Sequence, residues 1–215
     1  MDKPASVADL TALGRVRLSD HFFMRDMLYS EVANFHGLSN IPDDPDLAIA
    51  TGEKLCQLVL EPLHRAFGGI AVRSAFRSAT VNDYCHQRMK PGQGDYFCSD
   101  NVYGAARHIW DLRDVDGYSG ATASVVIPWY LDHFERTDDH RPLGWWIRDH
   151  IPDYAEVLFY PWLCAFNIRW YEGPADQVIL RDSAKDNEDK VLTRRGMDNF
   201  DGEHADHYAG FPQEA

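Results

Sequence analysis

Long apolar runs are missing from this sequence. No stretch approaches the roughly 18 apolar residues that a membrane span requires. The amino-terminal Met1-Asp2-Lys3-Pro4-Ala5-Ser6 has no basic segment followed by an apolar run, so the expectation is a soluble protein with no export signal. Cations are scarce too, with 21 Lys and Arg against 34 Asp and Glu and a formal charge of -13. That balance repels nucleic acid and anionic lipid and removes both from the expected partners, while leaving a local basic cleft open. Cysteine is sparse: Cys56, Cys85, Cys98 and Cys164 form no C-x-x-C pair, so neither a zinc knuckle nor that redox motif is present. Reduced, mostly buried thiols are the default expectation. Internal repeats are absent.

What is there suits one good-sized domain, or one domain with an appendage. The 215 residues are 45% hydrophobic and 13% aromatic, enough to bury a substantial core. Residues up to about Val16 read as a polar lead-in. Phe22-Phe23 follows, with Ser19 or Asp20 placed to cap a short helical turn. A turn at Ile41-Pro45 leads into the best helix in the chain, from about Asp46 to Phe67, with a kink or break expected at Pro62 and an end at Gly68-Gly69. Ile70 to Phe76 alternates as a strand, Tyr84 to Met89 finishes a short helix, and Lys90 to Asp95 reads as a surface loop. The stretch Ser99 to Asp111 has the form of a turn entering a strand. Asp114 to Gly120 is a loop, and helices are expected over Ser124–Thr137 and Leu143–His150. Ala155 to Tyr171 predicts two strands joined tightly at Pro161 to Cys164. From about Ala175 the composition turns acidic and poor in aliphatics, which suggests an extended arm that orders against a partner.

The stretch Ser99-Asp100-Asn101-Val102-Tyr103-Gly104-Ala105-Ala106-Arg107-His108 resembles the S-x-H-x-x-G-x-A-x-D signature of the zinc D-alanyl-D-alanine carboxypeptidase family, which shares the Hedgehog-like fold and includes phage endolysins. Other landmarks run in the same order: Phe23 to Ser30, the Ile70–Phe76 strand, Arg77-Ser78 with Asn82, and the Tyr160-Pro161 hairpin. The resemblance covers roughly residues 18 to 173. It implies an α+β domain with a small, mainly antiparallel sheet and helices packed on one side, after a lead-in over 1–17 and before an acidic arm over 174–215.

The family binds zinc through two His and one Asp, leaving one position for a water whose pKa the metal lowers to about 7. Here those columns hold Asn101, His108 and Asn167, Arg169 replaces a further Asp, and Cys164 stands where some relatives carry the acidic base. Asn is a poor zinc ligand. The expectation is therefore no cofactor, and a catalytically inactive peptidase-like protein with a structural or recognition role. The resemblance places it in a phage virion or related assembly, produced in a bacterial cytoplasm. Expected partners are other protein subunits, held by the arm, and peptidoglycan stem peptide, held in a cleft formed by Arg77, Ser99, Cys164 and Arg169. By position Arg77 holds a substrate carboxylate; a bridge between loop carbonyls is the other use of such a residue.

Two enzymatic alternatives stay open. Cys164 with His108 would make a thiol hydrolase, with Asn101 or Asn167 orienting the ring. His108 with Asp111 or Asp100 would make a displaced metal site. His204 and His207 have metal-like composition but read as solvated tail residues. Trp145, Trp146 and Trp162 read as packing rather than sugar-stacking surfaces.

Overall fold

A computed structural model describes residues 1–89, 96–160, 163–181 and 190–213. The expected loop at Lys90–Asp95, and Pro161 and Trp162 of the hairpin connection, lie outside the described residues. The lead-in is a helix, α1 (Val7–Gly14), started by the Ser6 side chain, which accepts from the Asp9 amide. Its Leu13 is buried in the core. The next turn, α2 (Met24–Met27), is capped by neither Ser19 nor Asp20: the Asp26 carboxylate accepts from the Phe23 amide, and Ser19 instead donates to Glu61. A further short helix, α3 (Glu31–His36), is capped by Ser30 and closed by Gly37 in the left-handed region.

The predicted long helix forms as α4 (Pro45–Leu55), a π-helical turn over Cys56–Leu60, and α5 (Glu61–Phe67), ending at Gly68 with φ 71°. Pro62 has no N–H to give, and the wider turn just ahead of it is where the helix absorbs that missing donor.

Six strands make one mixed sheet in the order β1-β2-β4-β3-β5-β6, from β1 (Ala71–Ser74), β2 (Gly120–Val126), β3 (Glu156–Phe159), β4 (Ala165–Tyr171), β5 (Val178–Arg181) and β6 (Lys190–Thr193). Every pairing is antiparallel except β3 with β5. The fold class is α+β, as expected. Alternation sorts the sheet into two faces. Val125, Phe166 and Phe159 line up across one, as do Ala123, Ile168, Val157 and Ile179, all in the core. Against that apolar face pack α4 and the π turn. Ser124 with Asn167, and Thr122 with Arg169 and Glu156, line up on the opposite face.

Two segments differ from expectation. Ser124 to Val126, expected to begin a helix, instead ends the strand β2. Its small and β-branched residues suit a central strand, and Pro128 sits at the first turn of α8 (Pro128–Thr137), where its fixed φ costs nothing. The acidic segment is bonded into the fold instead of extending away from it. The boundary expected at 173/174 falls inside one sheet, because β5 and β6 continue it. Beyond them the chain packs on α8 and α9 (Arg141–His150). Trp146 donates to the Pro212 carbonyl at 2.6 Å, Asp149 accepts from Tyr208 and from the His204 amide, and Phe211 packs among Phe67, Trp129 and Tyr130. His204 is likewise not a solvated tail residue: its ring lies 4.2 Å from that of Trp145 and pairs with Asp149 at 2.8 Å.

If the C-terminal segment belongs to the cooperative unit, Phe211→Ala lowers unfolding stability in urea by about 3 kcal/mol, the usual loss for a buried Phe. A change near zero would make it a detachable arm.

Candidate functional site

Four residues after β1 set the geometry. Phe76 donates its amide to the Met27 carbonyl, Arg77 donates its amide to His108 O at 2.8 Å, and Ser78 donates its amide to Asn40 Oδ1. Asn40 also donates to the carbonyls of Leu28 and Phe76, so one side chain grips both sides of Arg77. Ser78 then caps α6 (Ala79–Arg88) by accepting from Val81, and the first turn of that helix carries Asn82 back toward Arg77.

Arg77 Nη1 donates to Asn82 Oδ1 at 3.1 Å and contacts Cys98 Sγ at 2.9 Å. Among the described residues, no carboxylate lies within ion-pairing distance of this guanidinium. Burial pulls its affinity for the proton below the ordinary value of 12.5, with Tyr160 and Glu31 acting the other way, yet a guanidinium keeps its charge at neutral pH. Asn82, itself fully buried, donates through Nδ2 to Ser99 O and to Asn101 Oδ1, and Asn101 donates to Ala79 O. The two side-chain amides therefore satisfy each other.

The stretch after Asn101 is not the expected strand. It forms a short helix, α7 (Asn101–Gly104), capped by Asp100, and then a tight loop in which Ala106 takes φ 53° and its amide reaches Leu112 O. This loop sits on the polar face of the sheet. Thr122 donates its amide to Arg107 O, Arg169 Nε donates to Ala106 O, and Gly120 lies so close that a Cβ there would be 2.3 Å from Ala106 O.

His108 is placed by this loop beneath Arg77. Its Nδ1 is 2.8 Å from Ala75 O, which fixes the proton on that nitrogen in the neutral ring. Burial, then the charge of Arg77, then that of Arg107 hold its pKa down at about 3. Arg107 pairs with Glu156 at 2.7 Å. Arg169, whose guanidinium lies 4.2 Å from the Tyr171 ring, is pulled to about 10, chiefly by burial and next by Arg107. Arg77, Arg107 and Arg169 thus share this region with the carboxylates of Glu31, Glu156 and Asp114, of which Glu156 pairs directly with Arg107.

The three positions that the resemblance aligns with metal ligands separate. Asn101 and His108 join the network around Arg77, whereas Asn167 is hydrogen-bonded to Ser124 across the strands. Ser99 is exposed and contributes its carbonyl to Asn82. Cys164 lies in the apolar core near Tyr130 and Glu135, its thiol pushed up to about 11 mainly by burial, and among the described residues no hydrogen bond joins it to His108. Asp111 and Asp100 are taken up by the backbone: Asp111 accepts the amides of Asp43 and Asp44, and Asp100 that of Tyr103. No group of three His, Cys, Asp or Glu able to hold a metal exists among the described residues.

The thiol expectation is corrected in part. Cys85 and Cys98 form a disulfide, while Cys56 and Cys164 are free and buried. Asn82 and this disulfide are what sequence reasoning left out of the site. The Arg77-Ser78 run pointed to the first, but nothing in the spacing of four cysteines selected the pair. Among the described residues no helix is long and apolar enough to cross a membrane. No protein-family model, no curated protein and no solved structure matches the chain.

The low pKa of His108 has a measurable consequence. The unfolded chain takes up a proton at the ordinary value of 6.5, the folded chain only near 3, so this stability is complete above pH 6.5 and is lost as pH falls. Each such group contributes a slope of at most about 1.4 kcal/mol per pH unit. His140, held down to about 4 chiefly by burial, adds to the same window. His108→Asn therefore flattens the stability profile between pH 6.5 and 4 by about one proton; an unchanged slope would refute the buried neutral ring.

Proposed function

We propose that this chain is a catalytically inactive, DD-peptidase-like recognition protein that holds the carboxylate end of a short peptide, such as a peptidoglycan stem peptide, at Arg77. The observation that carries the reading is a half-buried guanidinium whose side-chain partners are neutral, with no carboxylate within ion-pairing distance among the described residues. Burying a charge costs free energy unless a partner repays it. A ligand carboxylate, bound through the planar fork of donors, is the partner whose geometry suits the group. Arg107 and Arg169 add positive potential beyond His108 and favour the same sign of ligand.

The inactive part of the reading rests on chemistry. Asn101 and Asn167 are neutral amides occupied by Asn82 and Ser124, and the remaining imidazole already gives its Nδ1–H to Ala75. A lone imidazole nitrogen is far from the three-ligand set that activates water on zinc. Cys164 offers no alternative nucleophile, since a thiol raised to about 11 is protonated at neutral pH. The C-terminal segment is held within the chain by Trp146, Asp149 and the ring of Phe67, so the reading is placed on Arg77 rather than on that segment. A virion or related assembly remains the setting that the resemblance implies.

The test is calorimetric titration of disulfide-bonded protein with N-acetyl-D-alanyl-D-alanine and with the same peptide amidated at its C-terminus. The acid binds, the amide binds at least tenfold more weakly, and Arg77→Gln removes the difference, since a charge-assisted hydrogen bond is worth about 1.5–3 kcal/mol. Equal affinity for acid and amide would overturn the recognition reading. One tightly held zinc per chain, with release of D-alanine, would overturn the inactive one.

A further inference from the structure

The disulfide lies against the one cation that the proposed function depends on. Cys85 occupies the last turn of α6, and Cys98 precedes α7, with the two sulfurs bonded across 13 residues. Arg77 Nη1 points at Cys98 Sγ from 2.9 Å while also donating to Asn82. The backbone around Cys98 is held independently of the sulfur bridge: His86 Nδ1 is 2.9 Å from Cys98 O, and Asn82 Nδ2 donates to Ser99 O. Opening the bridge would therefore leave Cys98 where it is, beside the guanidinium.

A disulfide sulfur is a weak, neutral acceptor, the least that a buried guanidinium can be offered. A thiolate at the same place would be its missing counterion. Thiolates are favoured beside Arg and Lys, which lower the pKa of a neighbouring thiol from its ordinary 8.5. We propose that Cys85 and Cys98 form a redox-active site that sets the availability of Arg77. Oxidised, the pair leaves the guanidinium open to a ligand carboxylate; reduced, it places the Cys98 thiolate on Arg77 and closes the site to anions.

The chemistry balances with a dithiol as reductant. The reductant supplies two electrons and two protons and becomes its own disulfide, the Cys85–Cys98 bond breaks, Cys85 keeps a proton, and Cys98 gives its proton to solvent. The groups that face Cys98 are Arg77, through its sulfur, and His86, through its carbonyl. Among the described residues, only the first is placed to stabilise a sulfur anion. Competition with the ligand rests on Arg77 being the carboxylate site; the pairing of thiolate and guanidinium does not.

Cys85→Ser fixes Cys98 as a single thiol, and its ionisation is read from the thiolate absorbance near 240 nm as pH rises, with free Cys56 and Cys164 subtracted by means of the Cys85→Ser, Cys98→Ser double variant. Cys98 is expected to ionise at least one pH unit below an ordinary thiol, and adding Arg77→Gln moves it back up. N-acetyl-D-alanyl-D-alanine is expected to bind Cys85→Ser at least tenfold more weakly than oxidised protein at pH 8, with Cys98→Ser restoring the oxidised affinity. Near-ultraviolet circular dichroism of each variant checks that it has folded. An ordinary or raised ionisation, or one indifferent to Arg77→Gln, would overturn the proposal. Equal peptide affinity in oxidised and Cys85→Ser protein would overturn it as well. A low, Arg77-dependent ionisation with no peptide binding in any form would support the thiolate pair and instead sink the recognition reading.

Discussion

The charge of Arg77 is buried, and the chain around it is built to hold that charge rather than to neutralise it. Asn40 fixes the backbone on both sides, His108 accepts its amide, and Asn82 offers the guanidinium one amide oxygen. Every one of these partners is neutral. A fold seeking stability alone would place a carboxylate or an apolar side chain here, since burying an unpaired charge costs several kcal/mol. Much else follows from the position of this residue. His108 stays unprotonated partly because it lies near Arg77, Asn101 is drawn into the network through Asn82, and the Cys98 sulfur completes the ring of contacts.

The polar face of the sheet explains why these groups stay where they are. Ser124 and Asn167 bond to one another, so the strands beneath the cleft satisfy their own side chains. The loop after α7 is then pressed onto that face through Gly120, where a side chain would collide with the Ala106 carbonyl. Arg107 and Arg169 are anchored by Glu156 and by Ala106 O. The loop thus supplies His108 from below while α6 supplies Asn82 from the side.

The parts of the fold that show in the sequence are those whose signals are local. Periodicity marks the helix that begins at Asp46, and a glycine marks its end because Gly68 takes a left-handed φ. The hairpin of β3 and β4 shows in its β-branched and aromatic run. Pro62 marks an irregularity in that helix, but that it takes the form of a π turn over Cys56–Leu60 does not show in the sequence. Ser124 to Val126 reads as helix from the sequence because it runs straight into the helical pattern after Pro128, and only the place of β2 between β1 and β4 makes it strand. The C-terminal segment looked unstructured because its contacts are with residues some 50 to 80 positions away, such as Asp149 and Tyr130. Of the candidate site, Arg77, Asn101 and His108 are singled out from the sequence, whereas the hydrogen bonds and the sulfur that surround Arg77 are not. Whether an arginine has a carboxylate beside it is a fact of tertiary structure, and so is the pairing of two cysteines among four.

A guanidinium without an ion-paired carboxylate among the described residues, in a protein of charge -13, separates two effects that often act together. Long-range steering draws ligands of opposite sign to a protein, and here the net charge works against any anion still in solution. Screening limits that repulsion to about 8 Å at physiological ionic strength, so it acts on approach and fades inside the cleft. At Arg77 itself the guanidinium is positive, with no carboxylate within ion-pairing distance among the described residues. A ligand with several negative charges meets the full opposing field before it reaches these groups. One carrying a single carboxylate on an otherwise neutral body meets little of it and keeps the short-range gain. A ligand carboxylate at Arg77 would therefore be favoured by its low charge number: a short peptide acid meets less of the opposing field than a polyanion such as a nucleic acid, although both carry the sign that a guanidinium attracts.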